Sequence, residues 1–258
     1  MRNIRLIARL DVKAPNLVKG IHLEGLRVLG KPEDFARLYY EQGADELIYQ
    51  DTVASLYQRN NLTEVVTRTA ENIFIPLTVG GGIRTLEDIN SVLRAGADKV
   101  SINTSATGNP DFINQASRAF GSSTIVVAVE AIRQMDHSYQ AYTDNGREYT
   151  GMEVLTWVKE AEERGAGEIL LTSIDREGTG NGYDLDLIKI VSDAVTIPVI
   201  AHGGAANVSH IMDAINRAGA DAVAIASMLH YTALNRNGSL SGRFEDEGNI
   251  EFLICVFT

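Results

Sequence analysis

Short apolar runs of four to seven residues alternate along this chain with longer stretches whose apolar positions recur at helical spacing. The short runs, at 6–11, 46–50, 74–79 and 99–102 and again at 124–130, 168–172, 198–201 and 222–226, predict eight strands. Segments beginning at Pro32, Thr85 and Met152 predict amphipathic helices between them. Pro32 suits the first helical turn, and Thr85 with Asp88 has the spacing of a capping box. Gly43, Gly96, Gly165 and Gly219 mark helix ends. Strand and helix in strict alternation predict an α/β protein with a parallel sheet.

The pattern also repeats. "PLTVGGGIR" from Pro76 is matched by "PVIAHGGAA" from Pro198, 122 residues later, and "GADELIY" from Gly43 by "GAGEILL" from Gly165 at the same offset. "AGADKVSINTS" from Ala95 is answered by "AGADAVAIASM" from Ala218. Two half-repeats, about 1–122 and 123–240, close naturally into one ring, a single (βα)8 TIM barrel domain over 1–258. An insertion at 134–150 holds Asp144-Asn145-Gly146 between Tyr142 and Tyr149, a hairpin signal. Beyond Ser227 the helical period fades, so an eighth barrel helix is not expected, and the tail from 232 to 258 has no readable pattern.

Charge narrows the class of ligand. A net charge of −11 argues against nucleic-acid or anionic-membrane binding and requires any anionic ligand to be held by local devices. The one cysteine, Cys255, precludes an internal disulfide and fits a reducing compartment. Arg2, Arg5, Arg9 and Asp11 interrupt the first apolar runs, so the start reads as neither signal peptide nor membrane span, and a cytoplasmic location is expected. His22, His137, His202, His210 and His230 show no ligand spacing; neither a metal nor a cofactor is expected.

In such a barrel the chemistry stands at the C-terminal strand ends. Asp11 ends the first strand and Glu130 the fifth, so the two carboxylates are expected to face each other across the mouth as an acid–base pair. Asp51 either supports them or holds a loop. Gly80-Gly81-Gly82 with Asn103-Thr104 has the character of one phosphate cradle, and Gly203-Gly204 with Ala226-Ser227 and Gly178 that of a second. The pair predicts a small ligand with a phosphate at each end. His202 either lines the second cradle or packs. At the opposite end Arg5, Glu46, Lys99 and Glu168 open four strands, as a charged plug or as a gate to a passage.

Taken together, "LDVK" at 10–13, "VKG" at 18–20, "FIPLTVGGGIR" at 74–84, "LRAGADKVSINT" at 93–104, "GAGEILLTS" at 165–173 and "GYDL" at 182–185 resemble the cyclase subunit of imidazole glycerol phosphate synthase over about residues 4–232. The resemblance implies an ammonia-using lyase whose glutaminase partner docks at the barrel bottom, with Arg5, Glu46, Lys99 and Glu168 as the ammonia gate. It implies acid–base roles for Asp11 and Glu130, Lys19 on a mobile first loop, and phosphate contacts at Gly82, Asn103, Thr104, Gly178, Gly204 and Ser227. The chain departs from the family at four points near the chemistry: Glu130 for aspartate, Arg9 for a small cysteine, Glu177 for aspartate and His202 for serine. By strand alternation Arg9 points inward beside Asp11 and requires a carboxylate such as Glu130 or Asp51, or an anionic substrate. These departures resemble paralogues that make an acetamidino sugar for surface polysaccharide. A barrel kept only as a partner-binding scaffold is the alternative of another class.

Overall fold

The computed structural model of the chain describes residues 4–54 and 62–236. Its strands are β1 (Arg5–Lys13), β2 (Asn16–Ile21), β3 (Glu24–Gly30), β4 (Glu46–Asp51), β5 (Leu77–Gly80), β6 (Lys99–Ile102), β7 (Ile125–Arg133), β8 (Tyr139–Thr143), β9 (Glu148–Glu153), β10 (Glu168–Ser173), β11 (Val199–His202) and β12 (Ala222–Ile225). Eight of them close a parallel ring in the order β1-β4-β5-β6-β7-β10-β11-β12, with β12 pairing back to β1. The fold is therefore a (βα)8 barrel. The remaining four strands form two hairpins at its C-terminal end: β2–β3 continues antiparallel from β1, and β8–β9 from β7.

The outer layer, among the described residues, comprises α1 (Pro32–Glu41), α2 (Thr63–Ala70), α3 (Leu86–Arg94), α4 (Thr104–Gly108), α5 (Asp111–Phe120), α6 (Val154–Glu163), α7 (Leu185–Ser192), α8 (Val208–Asn216) and α9 (Ser227–Arg236). Local chemistry starts several of them. Pro32 opens α1, where its missing N–H costs nothing. At α3 the Asp88 amide donates to Thr85 Oγ1 at 3.1 Å and the Thr85 amide to Asp88 Oδ2 at 2.9 Å, a reciprocal cap contributing about 1 kcal/mol. No helix among the described residues is long and apolar enough to cross a membrane.

Strand alternation divides the apolar residues into two cores. The larger lies between the ring and its helices; a second, of Ile7, Ile48, Val126, Ala128, Leu170, Ile200, Ala222 and Ala224, fills the interior. The interior is a packed plug of side chains with a charged layer below and a polar layer above.

Two expectations need correction. The run at 74–79 forms a strand only from Leu77, because Pro76 has no amide hydrogen for the ladder and Phe74 is 80% exposed. A helix does follow β12. α9 lacks a strong amphipathic period but buries His230, Tyr231 and Ala233, and Tyr39 OH meets His230 Nδ1 at 2.6 Å across the α1 contact. Tertiary packing overrides the weak local pattern there. The residues from 237 onward, Cys255 among them, lie outside the described ones.

Candidate active site

β1 and β7 are first and fifth in a ring of eight, so the strand ends that carry Asp11 and Glu130 are diametrically placed at the mouth. The two carboxylates have opposite surroundings. Both Asp11 oxygens accept from cations, Oδ1 from Arg9 Nε at 3.0 Å and Oδ2 from Lys19 Nζ at 2.9 Å. Burial works to raise the Asp11 carboxyl, but Lys19 and Arg9 outweigh it and hold the group well below the usual carboxylate range. Lys19 also bonds Glu177, whose other oxygen accepts the Leu23 amide at 3.0 Å.

One correction follows. The partner of Arg9 is Asp11 itself, neither Glu130 nor Asp51, and its Nη1 goes on to Thr172 Oγ1 at 3.2 Å and His202 Nδ1 at 3.0 Å. Residues two apart on a strand share a face, so the nearest carboxylate was the neighbour in sequence. Lys19 stands on β2, within the first connection of the barrel, between β1 and α1, and at 1% exposure it is among the most buried side chains.

Glu130 is buried and accepts the Gly146 amide at 2.9 Å on Oε2, with the Asn103 side chain as a second hydrogen-bond partner. Burial pushes its carboxyl up to about 7, with the Gly146 N–H and Arg9 pulling the other way. That donor comes from the β8–β9 hairpin, where Asp144, Asn145 and Gly146 all have positive φ and Tyr142 pairs with Tyr149. Asn145 Nδ2 crosses the mouth to the Thr52 carbonyl at 2.6 Å. The hairpin tip thus sits over Glu130 and joins opposite sides of the barrel.

Beside Glu130 opens a cavity of about 470 Å³ lined by Asp51, Gly81, Gly82, Asn103 and Thr104, with Gln50 and Ser101. Among the described residues Gln50 Oε1, Ser101 Oγ and Asn103 Oδ1 are buried there without a hydrogen-bond partner, the state in which a bound polar ligand or water satisfies them. Asp51 Oδ1 accepts the Val53 and Ala54 amides, each at 2.9 Å, which is loop-holding geometry. Burial raises its carboxyl against those two bonds.

The matched cradle of the second half is arranged differently. Glu177, Gly178, His202, Gly203, Gly204, Ala226 and Ser227 surround one narrow pocket with about 10 Å³ of room. Gly204 has φ +100° and lies so close to Gly182 that a Cβ would overlap its carbonyl oxygen. The β2–β3 hairpin covers this side, with the His22 amide donating to the Glu177 carbonyl at 3.0 Å and His22 Nδ1 meeting the Ile174 carbonyl at 2.7 Å.

At the other end Arg5, Glu46, Lys99 and Glu168 form a closed ring of ion pairs. Arg5 Nη1 donates to Glu46 and Glu168 at 2.9 Å each, and Lys99 Nζ to Glu168 at 2.9 Å and Glu46 at 3.4 Å. Sequence reasoning missed Gln50, Ser101, Asn145 and Thr172. Alternation places Ser101 inward with Lys99, Gln50 with Ile48 and Thr172 with Leu170, so that signal was present. Asn145 carries none that separates it from any turn residue. Among the described residues no three His, Cys, Asp or Glu stand together as metal ligands.

Comparison with known proteins gives the family. The family model described as "Histidine biosynthesis protein" matches residues 5–235. The imidazole glycerol phosphate synthase subunit HisF of Legionella pneumophila is 62% identical over 204 residues, 79% of this chain and 96% of that relative. The subunits of the same name from Trichormus variabilis and Synechocystis are 48% and 50% identical, over 91% and 89% of this chain and 93% and 89% of theirs. The chain belongs to the histidine biosynthesis protein family, on the branch of the imidazole glycerol phosphate synthase HisF subunits.

Proposed function

We propose that this chain is a cyclase that adds ammonia to the bis-phosphorylated phosphoribulosyl-formimino-aminoimidazole carboxamide ribonucleotide. The reaction releases imidazole glycerol phosphate and an aminoimidazole carboxamide ribotide. One observation carries the reading: two buried carboxylates in opposite proton states stand on opposite strands, each half of the mouth adding a glycine-lined pocket. Asp11, held ionised, accepts protons, and Glu130, near 7, delivers them. The half-repeats 1–122 and 123–240 supply one phosphate pocket each: Gly81, Gly82, Asn103 and Thr104 in the first, Gly178, Gly203, Gly204, Ala226 and Ser227 in the second. Lys19 and Glu177 tie the covering hairpin to Asp11, and Asp51 shapes the floor of the open pocket.

Ammonia enters from a glutaminase subunit docked at the barrel bottom, where the ring of Arg5, Glu46, Lys99 and Glu168 is the gate. The ring is closed, so at least one of its ion pairs must part during delivery. No cofactor takes part, and the cytoplasm is the compartment where the reaction runs. Growth of a histidine auxotroph lacking its own cyclase, with ammonium supplied, tests the reading. A folded, expressed chain that fails to restore growth overturns it.

A second reading is favoured by the pairing of Arg9 with Asp11 and His202 at the centre of the mouth, where the family carries smaller residues. It makes the chain a paralogue that uses ammonia to form an acetamidino sugar. Failed complementation repaired by Arg9→Cys with Glu130→Asp supports this second reading.

A further inference from the structure

The Arg9 side chain spans the upper barrel, from Asp11 on its own strand to Thr172 on β10 and His202 on β11. β12, the strand between β11 and β1, turns alanines 222 and 224 toward the interior and leaves the room that this long side chain crosses. Arginine has donors and no acceptor, so its 3.0 Å contact fixes His202 Nδ1 as an acceptor. An imidazole that accepts at Nδ1 carries its proton on Nε2. Thr172 fits the same choice: Oγ1 accepts the arginine hydrogen at 3.2 Å and has its own hydrogen free for Nδ1, 3.2 Å away.

The ring is also held neutral. Burial, then Arg9 and Lys19, push His202 well below its ordinary value, while Asp11 alone works the other way. Arg9 and Asp11 reach it from β1 and Lys19 from β2, and Glu177, bonded to Lys19, lines the same pocket. Among the described residues His202 is hydrogen-bonded through Nδ1, and it lines the second pocket with Gly178, Gly204 and Ser227.

We propose that Arg9 and His202 act as one unit. Arg9 is a positioning residue that locks His202 as the neutral Nε2–H tautomer, and His202 donates that hydrogen to an oxygen of the anionic substrate at the second pocket. The donor role rests on the reading that this mouth takes a phosphorylated substrate; the tautomer does not. A neutral donor suits the place. An imidazolium would add a third cation beside Arg9 and Lys19 and compete for Asp11, whereas an N–H orients an oxygen and leaves the carboxylate paired.

Long-range proton–nitrogen NMR of the full chain with labelled histidine reads the tautomer, and the spectrum of His202→Gln identifies the resonance. The expected result is an unprotonated Nδ1 and a protonated Nε2 with no titration between about pH 5.5 and about pH 8, the window in which ordinary histidines change charge. A protonated Nδ1 or an imidazolium in that window overturns the lock. In Arg9→Met the ring is expected to titrate or to mix tautomers, and an unchanged spectrum overturns the part given to Arg9. Should Arg9→Met fail to fold, Thr172→Val decides: with Arg9 present the Nε2–H tautomer is retained, and its loss overturns Arg9 as the lock. Inorganic sulfate probes the donor. Its addition is expected to shift the Nε2–H resonance; a resonance that stays fixed while the Gly82 amide reports a filled first pocket overturns the donor role. Neither arm uses turnover, so failure of the ammonia-dependent reaction is a separate result.

Discussion

At the scale of single residues, two carboxylates on equivalent strand ends have been driven apart by their neighbours. Asp11 balances two buried cations, so removing its charge acts on stability as well as on activity. Asp11→Asn is expected to lower turnover with ammonium salts by about two to four orders of magnitude. It also strands the Arg9 guanidinium and costs about 3 kcal/mol of stability. Adding Arg9→Met should restore the stability and leave the activity lost, as urea unfolding beside steady-state assays will show. Glu130 has the reverse linkage. Its folded value, about 7, lies above the ordinary 4.5, so the benefit of keeping it protonated is complete below 4.5 and is lost as pH rises through 7. Glu130→Gln is therefore expected to be more stable than the native chain by about 3 kcal/mol above pH 7 and equal to it below about pH 4. At constant free ammonia, turnover of the native enzyme should fall above about pH 7 as Glu130 loses its proton. The positions of both acids were legible from where their strands end. Their proton states were not, because these depend on Lys19, Gly146 and Arg9, brought up from different elements.

At the scale of elements, the β8–β9 hairpin shows how a turn readable in sequence acquires a task that is not. Asp144-Asn145-Gly146 announces the turn, but only the folded hairpin brings the Gly146 amide onto Glu130. Gly146 has φ +79°, and a Cβ there would stand 2.5 Å from Ile174 Cδ1. Gly146→Ala is expected to cost about 1–3 kcal/mol. With its donor displaced, the Glu130 carboxyl should rise further and carry the alkaline limb of the pH–rate profile upward with it. The barrel bottom gives a second case. The four strand-opening charges could be located by spacing, whereas their closure into one ring of ion pairs needed the ring of strands. Arg5→Ala removes two of those pairs. It should leave turnover with ammonium salts intact and lower the share of glutamine-derived ammonia that reaches product, measured by comparing glutamate released with product formed.

At the scale of the whole molecule, the two halves repeat in sequence but differ in room: the first pocket has about 470 Å³ and the second about 10 Å³, with Glu177 at its edge bonded to the β2–β3 hairpin. Glu177 holds that hairpin through Lys19 and the Leu23 amide. Glu177→Gln is expected to free it, and limited proteolysis within residues 16–30 should become faster than in the native chain; an unchanged rate would mean that Glu177 is not the latch. The sequence by itself determined the α/β alternation, the parallel barrel, the hairpin turn and the strand ends where the charges and glycines stand. It did so because strand period, caps and turn residues act over a few positions and the repeat fixes the closure. The tertiary structure alone decided that Arg9 pairs with Asp11 and His202, that Lys19 is buried, that Glu130 keeps its proton near neutrality, and that α9 forms. Each of these depends on desolvation and on partners distant in the chain, quantities that exist only once the ring has closed.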